Sequence, residues 1–385
     1  MRIAVKVAYA VTAVILSGCS TLASLNPFSG KSALKNPVAP LVDFKPGMSL
    51  HTAWSVSVGN AGVFTFSPVF VQDSVYAAAT NGSVFRIDAT TGRQSWHINA
   101  GMRLTAGVGS DGNTIAVAGE KGMVLAFDGS GKLRWKVQAS SEILSAPAVG
   151  QGLVVVRSVD NRIAAFDASS GVRRWIVQRS VPSLTLRNAP GITIAGPIAF
   201  VALPGGRLLA LALNNGAPIW EVAVGDPRGA TELERIADMA GAPVVSEREV
   251  CAVAYQGRVA CFDAINGTPR WAKELSSDVG VAMDERFVFA ADEHGVVNAF
   301  ARDSGASVWR NNKLANRHLS TPTSFGRSVV LGDGQGYVHF LSREDGAFVA
   351  RSATDGSAIV VAPVVAGANV IFQTQAGTVV ALATQ

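Results

Sequence analysis

The 385-residue chain is poor in the residues on which catalysis and metal binding most often draw. It has five histidines, three cysteines and four tyrosines. His51, His97, His294, His318 and His339 never fall at metal-ligand spacing on one element. No G-x-S-x-G elbow, H-E-x-x-H pair or phosphate-cradling glycine loop occurs. Charge is sparse as well: Asp, Glu, Lys and Arg make up 16% of the residues. The net charge of +5 includes Arg2 and Lys6, and the remainder is spread thinly along the chain. With no basic block there is no footprint for nucleic acid. Past the N-terminus, no apolar run approaches the ~18 residues of a spanning helix. These absences argue against a metal site, a cofactor site and bond chemistry. What the chain does have is 39 glycines, a composition suited to many short strands and tight turns.

The N-terminus has its own character. Arg2 and Lys6 precede an apolar run from Val7 to Leu16, which ends in Leu16-Ser17-Gly18-Cys19. A charged start, a short apolar stretch and small residues describe a secretory signal over residues 1–18. L-S-G-C also resembles the bacterial lipobox, which implies lipidation at Cys19. Ser20 follows the cysteine, and by the same resemblance it favours the outer membrane of a Gram-negative cell. Residues 19–48 carry Pro27, Pro37, Pro40 and Pro46 among Ser, Asn, Gly and Lys without a period, and read as a flexible tether. The membrane is then reached only through the lipid.

From residue 49 to 385 a repeat takes over. The seven tryptophans are Trp54, Trp96, Trp135, Trp175, Trp220, Trp271 and Trp309, with spacings of 42, 39, 40, 45, 51 and 38. From Trp96 onward each has a glycine four residues earlier, and several units read F/I-D-A-x-x-G-x-x-x-W. A strand-rich period near 40 marks a propeller blade. Strands recurring after Gly82, Gly122, Asn161, Gly206, Gly257, Gly295, Gly336 and Gly377 count eight blades. One unit lacks tryptophan, with Ala350 at the expected place. The chain ends just after a third strand, so the missing fourth must come from Leu50 to Val58. The expected fold is all-β: an eight-bladed propeller of four-stranded antiparallel blades, closed by the N-terminal strand. Asp88, Asp128, Asp167 and Asp263 recur at turns, where a carboxylate caps backbone N–H groups.

Cys251 and Cys261 fall in adjacent strands of one hairpin. A two-residue turn at Gln256-Gly257 sets Cys251 opposite Phe262, whereas a bulge or longer turn brings the cysteines together. The sequence leaves both open.

Function is sought where the repeat is broken. From blade tryptophan to the proline of the next blade's first strand the distance is 12 for Trp135–Pro147 and 13 for Trp309–Pro322. It grows to 15 for Trp175–Pro190 and 23 for Trp220–Pro243. Both enlarged segments join a fourth strand to the next blade, and repeat insertions gather on one face, often the binding face. The first holds Leu184, Leu186 and Arg187, two leucines outside the blade pattern with a cation beside them. In the second, residues 231–237 suit a short helical turn capped by Thr231, and Asp238 is placed to orient Arg187 by a charge-assisted bond.

Lipobox, tether, eight blades, P-S-L-T-L-R and E-R-I-A-D-M together resemble the BamB family, the lipoproteins of the outer-membrane β-barrel assembly (BAM) machinery. The resemblance spans essentially the whole chain, and the two loops are its specific part. It implies a non-catalytic scaffold that binds the POTRA domains of BamA, with Leu184, Leu186, Arg187 and Asp238 at the contact. It further implies a protein facing the periplasm and assisting insertion of β-barrel proteins. Strand edges would be available to unfolded barrel precursors by β-augmentation. Some family members carry a second acidic residue two positions after the matching aspartate; here Ala240 stands there. The competing reading is a periplasmic quinoprotein-like propeller that binds a small ligand or cofactor. The cysteines here are ten apart rather than adjacent, and the chain is near the minimum for eight blades.

Overall fold

The structure, a computed structural model, describes residues 36–384. The expected signal peptide and Cys19 lie outside the described residues. Among those described, thirty-two strands form eight four-stranded antiparallel sheets arranged as the blades of a propeller. First strands begin at Val69, Gly109, Ala148, Ile192, Met239, Val281, Thr323 and Val364, which number blades 1 to 8. Blade 3 is typical, with strands Ala148–Gly150, Leu153–Arg157, Arg162–Asp167 and Arg173–Gln178 in that spatial order. Its second strand is buried throughout, because neighbouring blades cover both faces. Its fourth strand buries only Trp175 fully and shows polar residues to solvent. That difference explains the sequence pattern: apolar runs inside, alternation at the rim.

Blade 8 combines Val364–Ala366, Asn369–Gln373 and Thr378–Thr384 with Leu50–Ser57 as its outermost strand. The first and last strands of the described chain therefore share one sheet, and Trp54 pairs with Ala381. A fourth-strand residue is skipped just before the tryptophan position in all eight blades, as between Arg173 and Trp175. Such a bulge re-aims the side chain that follows it.

The bulge turns each indole into the seam with the next blade. Trp135 Nε1 donates to Ala168 O at 3.0 Å, Trp175 to Leu213 O at 2.7 Å, and Trp54 to Ala89 O at 3.0 Å. The same turn that supplies the carbonyl lays its glycine on the ring. Gly171 has φ of +73°, and a Cβ there would stand 2.8 Å from the ring of Trp135. The glycine of the D-A-x-x-G motif thus serves the tryptophan of the preceding blade, not the one four residues on. Asp167 fixes that turn by accepting from the N–H groups of Ser169 and Ser170 at 3.0 and 2.9 Å. Hydrogen bonds from the Ser169 hydroxyl and the turn backbone hold its carboxyl well below the usual range.

Blade 7 departs from this rule. Ala350 replaces tryptophan, and the fourth strand of blade 8 is Leu50–Ser57, so no motif turn links it to the third strand. Residues 39–48, expected within the tether, fill the gap instead. Ala39 N–H bonds Ala315 O at 2.9 Å, Gly47 N–H bonds Val349 O at 2.9 Å, and Phe44 stacks on Phe348 at 5.4 Å. Met48 and Leu50 pack with Ala350 in the blade 7–8 core. The strap is also clamped by charged groups, buried Arg317 and half-buried Arg351. Arg317 donates to Ala39 O at 2.8 Å and Arg351 to Val42 O at 3.1 Å. Both arginines converge on His339, which is buried and bonded to Asp333 at 2.8 Å, while Arg317 bonds the same carboxylate at 2.7 Å. Prolines do not keep this segment free, because its backbone finds partners on the propeller wall.

The hairpin of blade 5 resolves the cysteine register. Cys251 pairs directly with Cys261, and the two form a disulfide. The turn is centred on Gln256, whose φ is +47°, and is one residue longer than the two-residue turn that would have opposed Cys251 to Phe262.

Two outcomes follow from these contacts. Gly171→Ala meets both a positive φ and the Trp135 ring, and is expected to cost about 3 kcal/mol in urea unfolding. His339 accepts from Arg351 Nε at 3.3 Å through Nδ1, which requires its neutral form. Burial holds its pKa below 6.5, aided by the nearby Arg351 and Arg317 and opposed by Asp333. The unfolded chain then binds the proton more readily, so this stability is present above about pH 6.5 and is lost as pH falls towards the folded pKa. Unfolding free energy should decline as pH falls below about 6.5, and decline less in His339→Gln; equal slopes would refute the assignment.

Candidate partner-binding site

Four antiparallel strands return the chain to the end of the ring where a blade began. Every connection from a fourth strand to the next blade therefore emerges at that end. Two of them are enlarged and adjacent: residues 179–191 between blades 3 and 4, and residues 224–238 between blades 4 and 5.

The first connection is pinned at both ends. Asn161 holds φ of +58° and donates to Ser180 O at 2.8 Å. Asn188 donates to Met239 O at 2.9 Å, tying the far end to the start of blade 5 just after the second connection. Between them stands Asp238. One carboxylate oxygen accepts from the N–H of Leu186 and the other from the N–H of Gly205 at 2.8 Å. Burial pushes its carboxyl pKa up, and the bonds from Gly205 and Leu186 and the charge of Arg157 pull it back.

The four sequence-derived site residues are placed differently from one another. Leu184 is 47% exposed and Leu186 is half-buried. Arg187 is exposed but does not pair with Asp238. It makes a fork to Glu142 at 2.9 and 3.1 Å, reaching the connection between blades 2 and 3. Asp238 is 1% exposed and both its oxygens are committed to backbone, so it sets the loop rather than facing outward. In the second connection Thr231 Oγ1 accepts from Glu234 N–H at 3.2 Å, and Glu234 accepts from the N–H of Ala230 and Thr231. This reciprocal cap supports the single turn expected there. The turn exposes Leu233, 69% accessible, which the sequence reading passed over.

A cavity of about 220 Å³ lies under the first connection, lined by Leu144, Arg157, Val159, Leu186 and Pro204 among others. Arg157 is buried, and burial pushes its guanidinium pKa down to about 10 against the pull of Asp238. Sequence carried a signal for it. Arg157 is the one charged residue at a second-strand position filled in the other blades by Ala78, Ala118, Ala202, Val253, Ala291, Gly332 and Gln373. Glu142 had no such signal, because its partner lies 45 residues away across a blade.

The central channel is larger, about 870 Å³, and is walled by small apolar residues of the innermost strands and the segments leading into them. Phe64 is the one aromatic in its lining, and Arg187 and Asp278 the charged residues. Elsewhere Glu249 lies beside Cys251 and Cys261, a grouping that could suggest a metal. Both sulfurs are in the disulfide, and Arg302 holds the Glu249 carboxylate at 2.6 Å.

Comparison with known proteins agrees with this architecture. The family model described as outer membrane protein assembly factor BamB matches residues 80–311 and 293–385. A protein of that name from Burkholderia pseudomallei is 46% identical over 98% of this chain and 97% of its own length. One from Bordetella pertussis is 46% identical over 96% and 95%. The crystal structure of BamB from Moraxella catarrhalis superposes with a TM-score of 0.80 at 26% identity, covering 87% of this chain and all of that one. On blades, closure and near full-length identity together, the chain belongs to the BamB family of outer membrane protein assembly factors.

Proposed function

We propose that this protein is a non-catalytic scaffold of the outer-membrane β-barrel assembly machinery, anchored through lipid on Cys19 and facing the periplasm. It docks POTRA domains of BamA through the end of the ring that carries the two enlarged connections. The observation that carries this reading is preorganisation. A loop outside the blade repeat shows Leu184 and Arg187 to solvent, and Asp238, Asn161 and Asn188 hold its backbone. A loop already fixed in shape loses little entropy on docking. Leu233 of the neighbouring connection extends the exposed apolar surface. The chain also enters the propeller at this end, since Ala39 bonds Ala315 in the connection between blades 6 and 7. A lipid tether leading to Ala39 would leave the partner-binding end tied towards the membrane. The channel lining, with a single aromatic, offers little to the ligand-binding alternative.

Two measurements test this. Residues 39–385, one compact unit, should capture the POTRA region of BamA from the same organism in a pull-down. Replacing Leu184, Leu186 and Arg187 by alanine should abolish capture with circular dichroism unchanged; undiminished capture would move the site off this loop. Separately, Asp238→Ala strands two N–H groups bonded to a charged acceptor, each worth about 1.5–3 kcal/mol. Hydrogen exchange at Leu186 and Gly205 should accelerate strongly, and binding should weaken although no exposed group has changed.

A further inference from the structure

Arg157 is a cation at a position where every other blade has an uncharged residue, alanine or glycine in five of the seven, with Val253 and Gln373 in the other two. Its immediate bonds do not account for it. Nη1 donates to Asn161 Oδ1 at 3.2 Å, a neutral acceptor, and the buried Nε has no protein acceptor. The nearest carboxylate influence is Asp238, whose two oxygens are both taken by backbone N–H groups. A buried guanidinium without a bonded carboxylate is costly, and an unsatisfied buried donor adds to the cost. Nor is it needed to brace the loop, since Asn161 already reaches Ser180 O through its own amide.

Position supplies the rest of the argument. Arg157 lines the 220 Å³ cavity under the connection that carries Leu184, Leu186 and Arg187. Leu144, Val159, Leu186 and Pro204 give that cavity aliphatic walls, and Thr185 and Asn188 add polar groups. Apolar walls beside a cationic donor match a side chain with a short methylene stem and an anionic tip. We infer that this cavity is a receptor for one glutamate side chain of the docking partner, its carboxylate taken by Arg157 and its stem packed against Leu186. Leu186 would then act as a wall of the receptor rather than as an exposed anchor, in keeping with its half-buried state. Charge-assisted bonds of this kind orient a partner as well as hold it.

The inference rests on the docking reading, and the tests keep the two apart. Binding of residues 39–385 to the POTRA region is measured by calorimetry for wild type, Arg157→Met and the Leu184, Leu186, Arg187 triple alanine variant. Arg157→Met keeps an unbranched side chain of similar length and removes the charge. It should fold and bind at least ten-fold more weakly. Wild-type affinity in Arg157→Met, with loss in the triple variant, would overturn the receptor and leave the docking surface standing. A double-mutant cycle with glutamate→glutamine variants of the POTRA region separates direct contact from loop distortion. One glutamate should prove non-additive with Arg157→Met; full additivity with every glutamate would overturn direct contact. If wild type fails to bind the POTRA region, the docking reading falls first. The cavity is then probed alone with glutarate, following the Arg157 Nε–H resonance by NMR. A saturable shift supports a carboxylate receptor, and an unmoved resonance overturns it.

Discussion

The ring depends on one interaction made seven times: an indole N–H from one blade donating to a turn carbonyl of the next, with a glycine of that turn against the ring. This couples what look like separate sequence features. The tryptophan needs a bulge before it to face the seam. The turn needs a glycine because its φ is positive and, at every seam but that of Trp96, a Cβ would collide with the ring. The turn needs an aspartate or its substitute to bring its carbonyl to the indole. A propeller blade has little core of its own, so its stability comes from neighbours on both sides. The indole is large enough to fill the wedge between two twisted sheets and still leaves its one polar atom satisfied.

Because the seam is repeated, the fold was legible. Seven tryptophans in register and a missing fourth strand at the C-terminus required Leu50–Ser57 to complete blade 8, and it does. The sequence could not reveal which tryptophan each glycine serves, since the partner lies about one blade back in the chain rather than in the same strand. The cysteine pairing turned on a single residue of turn length at Gln256, a difference below what strand patterns resolve. The tether expected over 39–48 is a strap for a related reason. Prolines and polar residues over 39–48 look like tether, but the seam beside Ala350 has no indole and accepts an outside segment.

The loop end was legible as a region and not as a set of contacts. Insertions in a repeat are visible by subtraction, and Arg187 and Asp238 both fall in them. Their pairing was an inference from opposite charge alone. The structure gives Asp238 to backbone and Arg187 to Glu142 instead. A buried carboxylate flanked by free N–H groups satisfies those donors first, because unpaired amides cost more than a surface ion pair returns. The contacts that shape this site join residues from different blades, where no local pattern records them. Only Arg157 left a trace, as the one cation at a fixed place in the repeat where the other blades have uncharged residues.

The seam without tryptophan also separates this fold's stability into two kinds. Seven seams rest on an indole, which does not titrate and is indifferent to salt. The eighth rests on Asp333, Arg317, Arg351 and His339 holding a strap. Buried ionic groups are strong when complete and costly when one member changes, so this seam is the one whose strength depends on conditions. It is also where the chain arrives at the propeller. Any pull on the N-terminal segment would be felt first at Ala39 and Val42, whose carbonyls are held by the two arginines. Load would then pass through Arg317 and Arg351 into blade 7, three blades away from the connection bearing Leu184. Placing the attachment at the ionic seam, three blades from the binding loop, lets the anchor move without disturbing the geometry that Asp238 fixes.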